Sequence, residues 1–181
     1  MRVRRLRTEE LEPTDVERIR ALLWAAFESD DVDERFTEDD WQHALGGVHF
    51  IGDVDGRIVT HASVVERELH VAGRPIGTGY VEAVATEPGV QGQGHGTAVM
   101  LEVNAHVAEQ YELGALGTGS QGFYERLGWQ VWRGPTHVRT DDGDVATPDE
   151  DGYILVLRTP STPPIDLADP ISCEWRPGDV W

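Results

Sequence analysis

The strongest constraint on this chain is a run of glycines between a strand-like and a helix-like stretch. Residues 79–97 read GYVEAVATEPGVQGQGHGT. The first part alternates large and small apolar residues with Glu82 set among them. That pattern predicts a buried strand with a lone carboxylate on one face. Pro88 and Gly89 end it. Gln91-Gly92-Gln93-Gly94-His95-Gly96-Thr97 follows, and then Met100, Val103, Val107 and Tyr111 recur at helical spacing. A glycine-rich turn feeding a helix exposes backbone N–H groups where the helix dipole adds partial positive charge. Such a turn suits a phosphate or pyrophosphate.

Spacing narrows the choice. The dinucleotide fingerprint is G-x-G-x-x-G with an acid about 20 residues on, whereas Gly92, Gly94 and Gly96 alternate. The phosphate loop ending in Gly-Lys-Ser/Thr is excluded, because the chain contains no lysine. What remains is Gln91-x-x-Gly94-x-Gly96 after a strand, with a plain flexible turn as the alternative.

At 181 residues the chain is read as a single domain, 1–181, able to bury a core without disulfides or metals. Its 15 basic residues are all arginine and face 33 acidic ones, so the formal charge is 15 − 33 = −18. This balance opposes nucleic acid and anionic membrane as partners and suits a cationic one. Across the surface as a whole, solubility is the simpler reading of the charge. Cys173 is alone, so neither a disulfide framework nor a cysteine zinc site is expected. His43, His49 and His61 are scattered over a helix and strands and read as structural, with no metal. No apolar run spans a membrane, and the basic start lacks a signal-peptide core, so a cytoplasmic protein is the default.

In chain order, residues 3–6 read as an edge strand and 13–27 as a helix with Pro13 in its first turn. Thr37 before Trp41 reads as a capped helix start, and that short helix ends at Gly46-Gly47. Residues 48–54 and 57–69 read as strands joined by an Asp55-Gly56 hairpin. After the long helix come a strand at 114–118, a short helix at 122–127 and a strand beginning at 129–132. Residues 141–151 read as an acidic loop and 153–157 as a last strand. The tail from 160 is rich in proline and acids, yet Trp175 and Trp181 argue against plain disorder. Strands interleaved with helices give an α/β or α+β fold around one mixed, mostly antiparallel sheet.

The loop resembles the acetyl-CoA pyrophosphate loop of the GCN5-related N-acetyltransferases, whose pattern is Arg/Gln-x-x-Gly-x-Gly/Ala. Four further segments are similar to the aminoglycoside 2′-N-acetyltransferases of mycobacteria and Providencia: DWQHALGGVH from Asp40, GYVE from Gly79, YELG from Tyr111 and the final WRPGDVW from Trp175. They span nearly the whole chain in order, and the terminal signature is the most specific. The resemblance implies acetyl transfer from acetyl-CoA to the 2′-amine of an aminoglycoside, as in antibiotic resistance, with the tail (about 160–181) folding back toward the active site. Such relatives are often homodimers, so a homodimer is an expectation.

It also implies roles. Pantetheine would lie along backbone at Val84, Ala85 and Thr86, and pyrophosphate on amides of Gln91, Gly92, Gln93, Gly94, His95, Gly96 and Thr97. Glu82 is the candidate base, acting through a water; the alternative is a carboxylate bonded to neighbouring backbone. Tyr124 is the candidate acid, or else a core aromatic. The terminal carboxylate of Trp181 is a third charged group. Substrate contacts would come from Glu82, Ala83, Asp40, Asp149 or Glu150, Asp179 and Trp181.

Two positions depart from the family pattern. Arg35 stands where relatives have an aspartate, and Gly117 where they have a serine. Arg35 would repel one substrate ammonium unless Asp33 or Glu34 replaces the aspartate. An acceptor carrying a carboxylate, such as kasugamycin, would tolerate Arg35 better. Other readings are acetylation of another amino sugar or polyamine, and a non-catalytic acetyl-CoA-binding module.

Overall fold

The computed structural model describes residues 1–31 and 35–181. In order, the described elements are β1 (Arg2–Arg7), α1 (Pro13–Ala26), α2 (Glu38–His43), β2 (Val48–Val54), β3 (Arg57–Val71), β4 (Arg74–Thr86) and α3 (His95–Gln110). They continue with β5 (Leu113–Gly117), α4 (Gln121–Glu125), β6 (Gln130–Val131), β7 (Thr136–Thr140), β8 (Gly143–Ala146), β9 (Ile154–Arg158) and β10 (Ile171–Glu174). The sheet runs β6-β9-β5-β4-β3-β10-β7-β8, with β2 on β3 and β1 on β2. β4 pairs parallel with β5 and β10 parallel with β7. β1/β2, β2/β3, β3/β10, β5/β9, β6/β9 and β7/β8 are antiparallel.

Local chemistry explains the main joints. Pro13 opens α1, where a missing N–H costs nothing. Thr37 and Asp40 form a reciprocal capping box at the start of α2. Asp55 (φ +52°) and Gly56 (φ +79°) make a tight turn between β2 and β3, and Ala72 (φ +48°) and Gly73 (φ +76°) another between β3 and β4. Two consecutive positive φ values match the right-handed twist of the strands they join.

Contacts divide the chain into two compact units, and β3 and β4 contribute residues to both. One holds Met1–Val65 and Val81–Val103. Its core packs Ile19, Leu22 and Leu23 of α1 with Trp41, Ile51, Ile58 and Ala85. Each leucine and isoleucine among them stabilises by roughly 1.5–3 kcal/mol when removed from water. Arg4 grips Asp15 with two hydrogen bonds, at 3.0 and 2.7 Å. The other unit holds Glu66–Tyr80 and Asn104–Trp181. Within it Gly114 is required by close packing, because a Cβ there would come within 2.9 Å of Val107 and 3.0 Å of Leu157.

Three sequence expectations need correction. Residues 141–151 are not simply a loop: Gly143–Ala146 is a strand paired with Thr136–Thr140, followed by a 3-10 turn at Pro148–Glu150. All four residues of β8 are exposed, so no burial period marks them. The 129–132 strand shrinks to Gln130–Val131, since Trp129 N–H is bonded back to Tyr124 O in the preceding turn at 3.2 Å. Trp129 Nε1 donates to Asn104 and Trp132 Nε1 to the carbonyl of Asp169. The proline-rich tail carries a strand, Ile171–Glu174, that pairs with both β3 and β7. Among the described residues no helix is long and apolar enough to cross a membrane.

Candidate active site

The glycine loop lies between β4 and α3 as the sequence predicts. Gly92 (φ +75°) and Gly94 (φ +85°) are left-handed, and a Cβ on either would meet nothing within 4 Å. Glycine is therefore demanded there by backbone conformation, and the space beside it is open. Gln91 Nε2 donates to the carbonyl of Thr86 at 3.1 Å, tying the loop to the end of β4. The helix begins at His95, and Ala98 N–H is bonded to Gly94 O at 3.0 Å. The amides before Ala98 fall in the first turn, where an α-helix supplies no internal acceptor. This donor set, in open space at the end of a 16-residue helix, fits a pyrophosphate.

β4 changes character along its length. It pairs with β5 at Thr78, Gly79 and Tyr80, and that register stops at Tyr80. Beyond, Ala83 is left-handed at φ +51°. Two consecutive carbonyls are then held by side chains of β3. Ser63 Oγ donates to Glu82 O at 3.2 Å and His61 Nδ1 lies 2.8 Å from Ala83 O. Thr60 Oγ1 donates to Ala85 O at 2.8 Å. Consecutive carbonyls in a regular strand point to opposite edges, so this is a local bulge. Glu82 stands at it, half-buried, and Ala83 and Val84 are half-buried too.

In the other unit, a cavity of about 240 Å³ is lined by Gly117, Glu150, Tyr153, Asp179 and Trp181. The tail is locked beside it. Trp181 N–H donates to Asp179 Oδ1 at 3.0 Å, and its indole Nε1 to Thr147 Oγ1 at 3.0 Å. Arg176 Nη2 donates to Trp181 O at 3.2 Å. Arg67 Nη2 donates to Val180 O at 2.9 Å while its Nε holds Glu174 at 2.8 Å. Both guanidinium groups lie over the ring of Tyr80, at 4.6 and 5.8 Å. Burial raises the Glu150 carboxyl above its ordinary range, and repulsion from Asp179 and Asp149 adds to this. Two carboxylates that repel across a cavity favour a cation between them.

The remaining sequence candidates divide. Tyr124 is buried, edge-on to Phe123 and Trp129 at 4.9 and 6.2 Å, and burial pushes its phenol up to about 12. Asp149 is not among the residues lining the cavity. Asp40 spends its carboxylate on the α2 cap, accepting from Thr37 N–H and Oγ1 at 2.7 Å each. Arg35 is exposed, and its Nε donates to Ser29 O at 2.7 Å. Asp33 and Glu34, the alternatives to the missing aspartate, lie outside the described residues. Sequence reasoning missed Arg67, although it sits at an inward position of the alternation Val65, Arg67, Leu69, Val71. It also missed Arg176 and the β3 side chains that hold β4.

Comparison with known proteins identifies the family and the fold. Residues 7–132 match the acetyltransferase (GNAT) domain family. An aminoglycoside 2′-N-acetyltransferase of Mycolicibacterium fortuitum is 38% identical over 98% of this chain and 91% of its own length. Among solved structures, the GNAT family N-acetyltransferase YhbS of Escherichia coli, in complex with CoA, aligns with TM-score 0.65 at 17% identity. The alignment covers 95% of this chain and 88% of that one. A GNAT family acetyltransferase of Brucella melitensis, in complex with acetyl-CoA, aligns with TM-score 0.59 at 20% identity, covering 91% and 94%. At those identities the structures speak for the fold alone.

Proposed function

This chain belongs to the aminoglycoside 2′-N-acetyltransferase family of GNAT acetyltransferases, and from that premise we propose that it acetylates the 2′-amine of an aminoglycoside, a reaction that confers resistance. Acetyl-CoA supplies the acetyl group as an activated thioester. The observation that carries the acceptor reading is the cavity between Glu150 and Asp179, whose repelling carboxylates suit a substrate ammonium. The −18 charge of the chain speeds encounter with a polycation.

The chain's residues take the following roles. Amides from Gln91 to Thr97 bind the pyrophosphate, and backbone from Val84 to Thr86 holds the pantetheine along the open edge of β4. Glu82 accepts a proton from the acceptor ammonium through a water, which frees the nitrogen lone pair to attack the acetyl carbon. Tyr124 gives a proton to the leaving sulfur as the C–S bond breaks. A phenol pushed up to about 12 is fully protonated at neutral pH, the state that a proton donor needs. Trp181 bounds the acceptor cavity, its main-chain oxygen fixed by Arg176. Ala83 is a secondary acceptor contact on this reading, while Asp40, engaged in the α2 cap, and Asp149, outside the cavity lining, take no part in it. A homodimer rests on the resemblance alone, and a cytoplasmic location on the sequence reading.

A second reading rests on Arg35, an exposed cation where relatives carry an acid. It favours an acceptor that bears a carboxylate, such as kasugamycin. Initial rates of thiol release from acetyl-CoA separate the readings. Turnover of gentamicin and tobramycin without kanamycin A, which has a hydroxyl at the 2′ position, is the expected result. Turnover of kasugamycin alone makes Arg35 the specificity determinant. Absence of thiol release with every amine, while acetyl-CoA still binds, leaves only a binding module.

A further inference from the structure

Four groups in the first unit form a hydrogen-bond chain that ends at the bulge in β4. Gly46 N–H donates to Thr8 Oγ1 at 2.9 Å. Thr8 Oγ1 lies 2.9 Å from His49 Nε2, His49 Nδ1 lies 3.0 Å from His61 Nε2, and His61 Nδ1 lies 2.8 Å from Ala83 O. Both imidazoles are fully buried.

The direction of the chain follows from its last member. A carbonyl only accepts, so His61 Nδ1 carries the proton. A neutral imidazole then accepts at Nε2, so His49 donates from Nδ1. His49 Nε2 accepts in turn, and the Thr8 hydroxyl donates to it; Gly47 O, at 3.4 Å, is the longer competitor. Burial pushes His49 down to about 4 and His61 down to about 3, so both rings are neutral at physiological pH.

The peptide that receives this chain is trans, since no cis bond occurs among the described residues. In a trans peptide the C=O and N–H point in opposite directions. With Ala83 O aimed at His61 on β3, the N–H of Val84 points away from β3. That is the edge on which β4 has no register with β5 beyond Tyr80. Donation into a carbonyl polarises its peptide and strengthens the N–H at the other end, by roughly 10–30% per bond. Ala83 also holds a left-handed φ without being glycine, a state that persists only where the surroundings enforce it. A buried pair of imidazoles is a costly way to fill space that apolar side chains would fill as well.

We propose that Thr8, His49 and His61 are positioning residues: they hold the Ala83–Val84 peptide so that Val84 N–H faces the open edge of β4 and donates to the acetyl carbonyl of the bound donor. This rests on the acetyl-transfer reading above. The acetyl carbonyl gains negative charge during transfer, so a fixed and polarised donor acts on the step itself.

The test uses the full chain with His61→Leu, His61→Asn and Thr8→Val. It has three readouts: kcat, the Kd of CoA, and the infrared carbonyl band of bound acetonyl-CoA, a ketone analogue that cannot transfer. His61→Leu should lower kcat by about 10–100-fold, as outer-shell partners do, with the Kd of CoA within about twofold and the carbonyl band moved to higher wavenumber. Asparagine places an N–H near the Nδ1 position, so His61→Asn should recover most of both losses. An unchanged band in His61→Leu overturns the proposal. So does an equal loss of CoA affinity without rescue by asparagine, which is the mark of a packing role. Should His61→Leu not fold, Thr8→Val at the outer end decides: its band moves the same way, with kcat down about 2–5-fold, or the proposal falls. Wild-type protein that binds both ligands yet acetylates no amine removes the acetyl-transfer reading, while the band comparison still judges the positioning chain.

Discussion

Arg67 Nη2 donates to the carbonyl oxygen of Val180 at 2.9 Å, across 113 residues of chain. Arg67 is only 4% exposed, and its Nε is committed to Glu174. The tail that bounds the cavity is thus pinned from β3 by one buried cation. Removing it leaves the Val180 carbonyl with only the weak Cys173 Sγ donor, at 3.2 Å, and Glu174 with only Arg139, at 3.8 Å. Arg67→Ala should cost about 3 kcal/mol. For a chain of this size that lowers the melting midpoint by roughly 6–12 °C. The KM for the aminoglycoside should rise more than the KM for acetyl-CoA. A midpoint within 2 °C of wild type, about the smallest shift that 1 kcal/mol would give, would sink this account of the tail.

Gly94 tests the glycine loop by conformation alone. Its φ of +85° disfavours any side chain, yet a Cβ would touch nothing within 4 Å. Gly94→Ala therefore strains or shifts the loop by about 1–2 kcal/mol without a clash. The expected result is a KM for acetyl-CoA raised about tenfold, the equivalent of 1.4 kcal/mol, with kcat within about twofold. Gly56→Ala carries the same strain at φ +79° in a hairpin and should leave KM unchanged. Equal effects of the two substitutions on KM would remove the loop from the cofactor site.

The parts of this fold that were legible in the sequence are those with a strong local period or a defined turn. The Asp55-Gly56 hairpin, the Pro13 helix start and the 79–97 strand–turn–helix all announce themselves. β8 was not legible, since its four exposed residues alternate with nothing. β10 was hidden because Ile171–Glu174 is short, sits among prolines, and forms only by pairing with β3 and β7 across long stretches of chain. In the site, Glu82 and the glycine loop were visible as local anomalies. The His49–His61 pair was not, because each histidine looks ordinary and only β2–β3 pairing brings the rings together at 5.3 Å. Asp40 was visible as an acid, but only the folded cap shows that its carboxylate is already engaged.

The family resemblance places a serine where this chain has Gly117. A Cβ there would lie 3.6 Å from Tyr80 Oη, 3.7 Å from Ile154 and 3.8 Å from Trp181, all ordinary contacts. Gly117→Ser should therefore fold with stability within about 0.5 kcal/mol of wild type. It adds a hydroxyl to the wall of the cavity proposed to hold the acceptor. One added hydrogen bond to substrate is worth roughly 0.5–1.5 kcal/mol, so the KM for gentamicin should fall about 2–10-fold. A melting midpoint lowered by more than 5 °C would contradict the space seen at Gly117.

Glu150 gives the cavity a defined pH response. Its carboxyl titrates above the ordinary value because of burial first, and then repulsion from Asp179 and Asp149. Only the ionised form attracts an ammonium. As pH falls, aminoglycoside affinity should be lost through this raised pKa, at a higher pH than an unperturbed glutamate would give. The stability consequence has the opposite sign. A carboxyl whose folded pKa is raised contributes stability that is complete below its unfolded pKa and is lost as pH rises through the folded one. The ionised form of Glu150 costs stability, so Glu150→Gln should be slightly more stable than wild type at neutral pH, and should bind substrate more weakly. Near pH 4, about the ordinary glutamate pKa, the two proteins should converge in stability. Melting curves and aminoglycoside titrations at both pH values check this. A Glu150→Gln protein that is less stable at neutral pH, or binds gentamicin as tightly as wild type, would place the acceptor ammonium elsewhere than between Glu150 and Asp179.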